Sequence, residues 1–311
     1  MYFEGPEKKL EIFLKNSIDL FKIPDREWDS LVKAAGANIL SRISNNKIKA
    51  FLLSESSLFV YKDRIILITC GKTILVNTIP RLLSLIAKEH FESLFYERKN
   101  ENFPQAQIST FQDDVNLIQK EFKGKILRFG KGGNDHILLF HSKANYAIRN
   151  DVTLEILMHE PASDLMQFFL QPDLSITAVR ERLKLYEILE DYKLDNYLFE
   201  PFGFSLNGIK NENYYTIHVT PQKNGPYCSF ETNQEANISE IIDQILALFR
   251  PVRASILLYL PHEMRDPLKD HPGFIALEEE RFSLECGYKI VFKNLLLQKN
   301  YSFSVKYNKA N

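Results

Sequence analysis

The stretch Leu52–Val60 constrains this chain most, because four consecutive polar residues interrupt what otherwise reads as one buried strand. A strand normally keeps its polar residues on alternate positions, so the continuous block Ser54–Ser57 breaks the expected period of two. Serine-rich segments are common at strand ends, and one interpretation is a hairpin turn whose hydroxyls bond to the backbone. The other interpretation is a break that serves a chemical purpose.

Charge and hydrophobicity exclude several classes of protein. The chain carries 39 Lys and Arg against 40 Asp and Glu, so nothing in its charge favours a nucleic acid or an anionic membrane surface as a partner. No apolar run approaches the roughly 20 residues of a membrane span. The segment Met1–Gly5 has no basic region followed by an apolar core, so it does not predict a secretion signal. We therefore expect a cytoplasmic location.

The three cysteines, Cys70, Cys228 and Cys286, point to free thiols. Their number is odd and their spacing matches no metal-ligand motif, which argues against a disulfide framework and against a zinc site. Any of the three is therefore available as a reactive thiol.

The pattern of strands and helices predicts an α+β fold. A pair of strands feeding a helix occurs in residues 50–88 and again in residues 214–249, which indicates an internal duplication. Both faces of Ile65–Cys70 are apolar, as in a sheet covered on both sides. We therefore expect a four-layer αββα sandwich of two antiparallel sheets with outer helices. It would be a single domain of two similar halves, about 1–158 and 199–311, joined by 159–198.

Two strands carry polar side chains on one face. In residues 214–220 the alternation places His218 on the polar face of an inner strand, where it is either structural or a candidate base. Ser205 lies in a loop-like segment between two glycines. In residues 151–156, Asp151, Thr153 and Glu155 share one face. That face is either exposed to solvent or internal, and in the internal case its carboxylates need a cation or shared protons.

Eight ordered motifs resemble those of the eukaryotic-type S-adenosylmethionine decarboxylases, from Phe3 to at least Phe249. Each motif alone is weak, but their common order and approximate spacing make chance an improbable explanation. The motifs are Phe3–Gly5 with the following Glu7, Leu53–Val60, Thr69–Gly71, Phe95–Asn100, Thr153–Met158, Gly203–Gly208, Thr216–Pro221 and Ser229–Asn233.

The resemblance implies a proenzyme that cuts itself between Glu55 and Ser56, giving chains 1–55 and 56–311. Ser56 would become a pyruvoyl group, which forms a Schiff base with S-adenosylmethionine and accepts the electrons left by departing carbon dioxide. No metal and no pyridoxal phosphate would be needed. By similarity, His218 and Ser205 act in processing and Cys70 returns a proton to the product. The decarboxylated product would serve spermidine and spermine synthesis.

The resemblance also implies a substrate site. Phe3 and Phe199 match the aromatic pair that sandwiches adenine, Leu53 matches a further substrate contact, and Glu7 matches a carboxylate near the reacting centre. The family's ribose-binding glutamate is Gln222 here. This departure keeps one acceptor oxygen but loses the charge-assisted hydrogen bonds.

A buried acidic site that binds the activator putrescine in animal enzymes has counterparts in this chain. The residues that match this site are Lys9, Glu11, Phe95, Glu97, Asp151, Thr153, Glu155, Glu231 and Tyr259. Lys9 stands where plant-type enzymes, which need no putrescine, carry an arginine, so we expect Lys9 to act as a built-in cation and putrescine to be at most a weak activator.

The resemblance leaves the oligomeric state open, because relatives are either monomers or homodimers of processed chain pairs.

Two alternatives to this function remain open at the level of sequence. One is a pyruvoyl-dependent decarboxylase of a basic amino acid such as ornithine or arginine, for which Gln222 and Glu97 are the only hints. The other is a non-catalytic paralogue that activates a catalytically active one. The intact set of Ser56, Cys70, Ser205 and His218 argues against it.

Overall fold

The computed structural model describes residues 3–131, 135–142, 151–184, 191–299, 301 and 303, and two eight-stranded antiparallel sheets dominate it. The first sheet has the order β2-β3-β4-β5-β1-β6-β8-β7. Its strands are β1 Lys8–Leu14, β2 Ile39–Ser44, β3 Lys49–Leu53, β4 Ser56–Val60, β5 Arg64–Thr69, β6 Phe91–Lys99, β7 Gly124–Phe129 and β8 Ile137–Ser142.

The second sheet repeats the first. Its order, β10-β11-β12-β13-β9-β14-β16-β15, is that of the first sheet with eight added to every number. The two halves of the chain therefore share one strand topology. Its strands are β9 Thr153–His159, β10 Lys193–Leu198, β11 Phe204–Lys210, β12 Asn213–Thr220, β13 Tyr227–Thr232, β14 Arg253–Pro261, β15 Phe274–Ser283 and β16 Tyr288–Leu297.

The division between the sheets differs from the division into halves expected from the sequence. The first sheet ends at Ser142 and the second begins at Thr153, so β9, which the sequence placed in the first half, belongs to the second. The segment 159–198 is more than a connection, because it contains two helices and the edge strand β10. The misplacement arises because β9 pairs with β13 and β14, which follow it much later in the chain.

Helices cover the outer face of each sheet, as the four-layer prediction requires. The helix expected at the end of residues 50–88 spans only Thr78–Leu85, and Pro80 lies in its first turn, where a missing N–H interrupts no hydrogen bond. The α-helices are α1 Asp25–Ala35, α2 Thr78–Leu85 and α3 Phe111–Gln119 on the first sheet, and α4 Ser163–Phe169, α5 Ile176–Leu183 and α6 Ile238–Phe249 on the second. Short 3₁₀ turns occupy Leu20–Lys22, Leu75–Asn77, Lys88–His90 and Pro104–Ala106.

The space between the two sheets contains two apolar clusters with buried polar groups between them. One cluster joins Phe13 and Phe95 to Leu257, and the other joins Ile66 to Tyr214. Because β strands alternate their side chains, the residues that face this layer come from every second position of the central strands. Within the described residues, no helix is both long and apolar enough to cross a membrane.

Candidate active site

The polar block of the sequence forms the turn of a hairpin. β3 ends at Leu53 and β4 begins at Ser56, and these two residues are paired across the hairpin. Ser56 has a φ of 149°, a backbone conformation that residues with a side chain rarely adopt. The hairpin interpretation is therefore confirmed, and the structure adds backbone strain beside the Glu55–Ser56 peptide bond.

His218 of the second sheet contacts this strained residue. Its Nε2 lies 2.9 Å from Ser56 Oγ, and its Nδ1 lies 2.7 Å from Ser205 Oγ, because β11 and β12 pair with Ser205 opposite His218. Burial lowers the pKa of His218 to about 3, so the ring is neutral at neutral pH and is able to accept a proton. Three residues singled out from the sequence thus form one hydrogen-bonded chain.

Further polar side chains, none of them predicted as a site residue, surround Nε2 of His218. Thr216 Oγ1 lies 2.8 Å from Nε2 and Ser57 Oγ lies 3.3 Å from it, while Ser57 donates to Asn207 Oδ1 at 2.7 Å. Asn207 and Thr216 are themselves paired, two residues from Ser205 and His218 respectively. The signal that finds them is therefore the two-residue period of strands.

The carbonyl oxygen of Glu55 accepts two hydrogen bonds from a single residue. The backbone N–H and the thiol of Cys70 both donate to it, each at 2.8 Å. Burial raises the pKa of Cys70 well above its ordinary value, and the Glu55 carboxylate adds to this effect, so the thiol stays protonated. Two donors directed at one carbonyl oxygen stabilise the negative charge that develops there when the carbonyl carbon is attacked.

Glu7 lies just before β1 and is buried between the sheets. Ser229 donates a short hydrogen bond to Glu7 Oε1, and the Tyr227 hydroxyl donates to Oε2 at 3.4 Å. Burial raises the pKa of Glu7 to about 7, and the Lys99 ammonium only partly offsets the increase. Glu7 can therefore exchange a proton near neutral pH.

Among the residues matched to substrate binding, Phe3 has its ring beside the strained turn. A Cβ on Gly71 would stand 2.6 Å from Glu55 Oε2 and 3.0 Å from the Phe3 ring, so Phe3 lies beside the turn. Phe199 follows β10 and packs edge-on against Tyr197, with ring centroids 4.9 Å apart. A sandwich of adenine between Phe3 and Phe199 stays a prediction.

Leu53 pairs with Ser56 across the hairpin, but its side chain belongs to the outer core of the first sheet. The physical reason is strand alternation, which turns the side chain at this position away from the layer between the sheets. Any contact between Leu53 and a ligand in that layer would come from its backbone. Gln222 bonds to the backbone of Phe3.

The acidic face of β9 is internal, so the solvent-exposed interpretation of this face is wrong. Thr153 and Glu155 are 3% and 1% exposed. Lys9 Nζ lies 2.9 Å from Glu155, 3.0 Å from Glu231 and 3.7 Å from Glu11. Although burial opposes ionisation, the Lys9 and Lys99 ammoniums lower the pKa of Glu155 to about 2. Lys9 therefore lies among these carboxylates, and its role as a built-in cation stays a prediction.

Two further cations, which were not predicted from the sequence, lie in the acidic cluster. Arg64 lies 2.9 Å from Asp151 and also pairs with Glu11, and its guanidinium donates to Thr153 Oγ1 at 3.2 Å. Lys99 Nζ lies 2.6 Å from Glu97. The cluster therefore contains more internal positive charge than Lys9 alone supplies.

The remaining members of the acidic cluster are Tyr259, Phe95 and two glutamates whose pKa values are raised. The Tyr259 hydroxyl donates to Glu97, and Phe95 packs edge-on against Tyr259 at 6.2 Å. Burial, with the charge of Glu155, raises the pKa of Glu97. Burial also raises the pKa of Glu231 to about 7, an effect that Lys9 partly offsets. If Glu97 and Glu231 are protonated, three carboxylates face three cations: Glu11, Asp151 and Glu155 against Lys9, Arg64 and Lys99.

Comparison with known proteins identifies the family. The sequence profile of the adenosylmethionine decarboxylases matches residues 1–296. The chain belongs to the adenosylmethionine decarboxylase family. Two relatives, each named S-adenosylmethionine decarboxylase proenzyme, come from Trypanosoma cruzi and Dictyostelium discoideum. They are 34% and 31% identical to this chain, over 92% and 97% of its length and 81% and 88% of their own.

A solved structure of an adenosylmethionine decarboxylase has the same fold. The Trypanosoma brucei AdoMetDC-delta26 monomer superposes with a TM-score of 0.62 at 25% identity, covering 78% of this chain and 99% of that one. The named relatives are S-adenosylmethionine decarboxylases, so they favour this family assignment over the ornithine or arginine alternative. Among the described residues, no group of three or more His, Cys, Asp or Glu is placed to hold a metal ion.

Proposed function

We propose that this chain is a proenzyme that cuts itself between Glu55 and Ser56 and then decarboxylates S-adenosylmethionine. The observation that carries the proposal is the arrangement around that one peptide bond. A strained serine stands with its hydroxyl 2.9 Å from a neutral histidine, and the carbonyl before it accepts two hydrogen bonds from Cys70. Family membership supplies the reaction to which this arrangement fits.

The first step of processing is attack of Ser56 Oγ on the carbonyl carbon of Glu55. His218 Nε2 accepts the hydroxyl proton, which requires that Nδ1 carry the other ring proton and donate it to Ser205. Negative charge on the Glu55 oxygen is stabilised by the N–H and thiol of Cys70. The C–N bond then breaks as His218 returns the hydroxyl proton to the Ser56 nitrogen, which leaves Glu55 esterified to the Ser56 oxygen and a free amine on Ser56. Strain at Ser56 favours this step, because breaking the peptide bond releases it.

The second step separates the two chains. A base removes the α proton of Ser56, the ester C–O bond breaks, and Glu55 leaves as a free carboxylate. The dehydroalanine at position 56 takes up one water and loses one ammonia, which leaves a pyruvoyl group. We assign His218 as the base, because it is the ring within hydrogen-bond distance of Ser56. Peptide and one water therefore give two chains and one ammonia.

The surroundings of Ser56 fit a pyruvoyl group. When formed, this group supplies a carbonyl that condenses with the substrate amine and withdraws the electron pair left by carbon dioxide. The protonated thiol of Cys70 is suited to return a proton to carbon. Glu7, with its pKa raised to about 7, is suited to accept or hold a proton of the substrate amine. Phe3, beside the turn, offers an aromatic face to the nucleoside.

We further propose that putrescine stimulates this enzyme weakly or not at all. In the acidic cluster, Lys9, Arg64 and Lys99 are all within ion-pair distance of the buried carboxylates. A diamine would supply positive charge that the chain already supplies, so its binding should neutralise little further negative charge. Assembly as a homodimer and a cytoplasmic location stay predictions.

Denaturing mass spectrometry of the purified protein tests the processing directly. We expect two fragments, residues 1–55 and 56–311, with the larger lighter than its sequence by one ammonia. Ser56→Ala, which lacks the attacking hydroxyl, should stay a single chain. Carbon dioxide release from labelled S-adenosylmethionine, with ornithine and arginine in parallel, then tests the substrate. A wild-type chain that remains full length, or that prefers either amino acid, would refute the proposal.

A further inference from the structure

The side chain of Gln222 pairs with both backbone groups of Phe3. Gln222 Oε1 accepts from Phe3 N–H at 2.9 Å, and Gln222 Nε2 donates to Phe3 C=O at 2.8 Å. The same Nε2 also donates to the carbonyl of Gly225 at 3.2 Å. The orientation of the amide follows from these partners, since two carbonyls can only accept and one N–H can only donate.

These contacts leave Gln222 little capacity for a ligand. A primary amide has two N–H donors, and both are engaged by Phe3 and Gly225. Its oxygen keeps one acceptor position beyond the bond from Phe3. A glutamate at this position could not make the same pair, because a carboxylate has no donor for the Phe3 carbonyl and would repel its oxygen. The amide is therefore the group that the backbone of Phe3 requires.

The position of Phe3 makes its pair of hydrogen bonds with Gln222 relevant to the substrate site. The Phe3 ring lies against Gly71, beside the Glu55 side chain, and it remains 38% exposed. The neighbouring Gly5 passes so close to Tyr227 that a Cβ there would stand 2.8 Å from Tyr227 Cβ. The segment from Phe3 to Gly5 is thus held at two places, by the side chain of Gln222 and against Tyr227 of β13, with the Phe3 ring beside the turn.

We propose that Gln222 is a positioning residue, which fixes the Phe3 ring for the adenine of the substrate, rather than a ligand of the ribose. The inference rests on the proposed function, because it assigns Phe3 to the nucleoside. Gln222 then acts only through Phe3. Its removal should matter only while the Phe3 ring is present.

A double-mutant cycle tests this dependence. We expect Gln222→Ala to raise KM for S-adenosylmethionine about ten-fold, as expected for the loss of two neutral hydrogen bonds, with kcat within about two-fold. In the Phe3→Ala background the same change should alter KM less than about two-fold. Gln222→Glu should behave like Gln222→Ala. Lys223→Ala, an exposed neighbour on the same loop, is the matched control and should behave as wild type.

Substrate analogues separate positioning from ribose binding. With a 2′-deoxyribose analogue, positioning predicts that wild type and Gln222→Ala discriminate against the missing hydroxyl equally. Three results would each overturn the inference. The first is that Gln222→Ala no longer discriminates against the 2′-deoxyribose analogue, and the second is that Gln222→Ala raises KM as much in the Phe3→Ala background as in the wild type. The third is a lower KM in Gln222→Glu than in the wild type. Wild-type KM in Gln222→Ala would overturn it too. A wild-type chain that is neither cut nor active would instead refute the proposed function, so the two failures are distinguishable by gel and by carbon dioxide release.

Discussion

Replacing Lys9 by alanine would remove the ammonium shared by two buried glutamates, so that Glu155 keeps Lys99 as a partner and Glu231 loses Lys9. The Lys9 ammonium is 1% exposed and lies 2.9 Å from Glu155 and 3.0 Å from Glu231. Removing one partner of a buried ion pair costs about 3–5 kcal/mol, because the other charge stays buried. For a chain of this size, 1 kcal/mol corresponds to roughly 2 °C in Tm, so Lys9→Ala should lower Tm by about 6–10 °C.

The measurement is best made on uncut chains. In a Ser56→Ala background every variant should remain a single polypeptide, so thermal unfolding followed by circular dichroism compares like with like. Lys47→Ala is the matched control, since it removes an ion pair with Glu212 whose side chains are 48% and 66% exposed. Exposed pairs contribute about 0–1 kcal/mol, so Tm should fall by at most about 2 °C.

Ligand and pH then test the cause of the Lys9→Ala destabilisation. Putrescine should raise the Tm of Lys9→Ala, and the activity of that variant in the processing-competent chain, while changing the wild type little. The gap in Tm between variant and wild type should shrink as pH falls from about 8 to about 5.5. Without Lys9 the pKa values of Glu155 and Glu231 rise, so protonation neutralises them. Equal Tm losses in Lys9→Ala and Lys47→Ala, or severalfold stimulation of the wild type by putrescine, would refute this reasoning.

Three further predictions follow from the site and the core. His218→Ala and Ser205→Ala should each slow the appearance of fragment 1–55 at least about 100-fold on a denaturing gel, because the proton acceptor or its tautomer is lost; normal cutting would contradict the processing scheme. Glu7 has its pKa raised from 4.5 to about 7, so its contribution to stability is present below pH 4.5 and declines as pH rises through 7. Glu7→Gln should remove that decline in Tm, and an unchanged pH profile would contradict the shift. Trp28→Ala, in the fully buried core under α1, should cost about 3–5 kcal/mol in urea unfolding, and a loss below 1 kcal/mol would contradict the packing.

Much of the fold was accessible from the sequence because it depends on local alternation. The apolar character of both faces of Ile65–Cys70 correctly predicted a strand covered on both sides, and the repeated strand pairs correctly predicted two similar sheets. The boundary between the two halves was harder to predict from the sequence. β9 pairs with strands that come about seventy and a hundred residues later, and alternation says nothing about such partners.

The candidate site divides in the same way. The polar faces of Ser205 and His218 follow from a two-residue period, and the cluster of Asp151, Thr153 and Glu155 follows from the same period. The contacts that these residues make with Lys99 and Arg64 do not follow from this period, since no pattern in the sequence indicates which side chains meet across two sheets. The resemblance placed Gln222 at a ribose, whereas the structure pairs it with a backbone 219 residues away.

The side of each strand on which a residue lies can be read from the amino-acid order, because side-chain direction in a strand is set by covalent geometry within a few residues. The sequence also contained the serine, histidine and cysteine that the proposed chemistry needs. The contact of Lys9 with Glu155, 146 residues away, and that of Ser56 with His218, 162 residues away, arise only in the folded molecule. Such contacts depend on the packing of one sheet on the other, which is a sum over the whole core rather than a property of any segment.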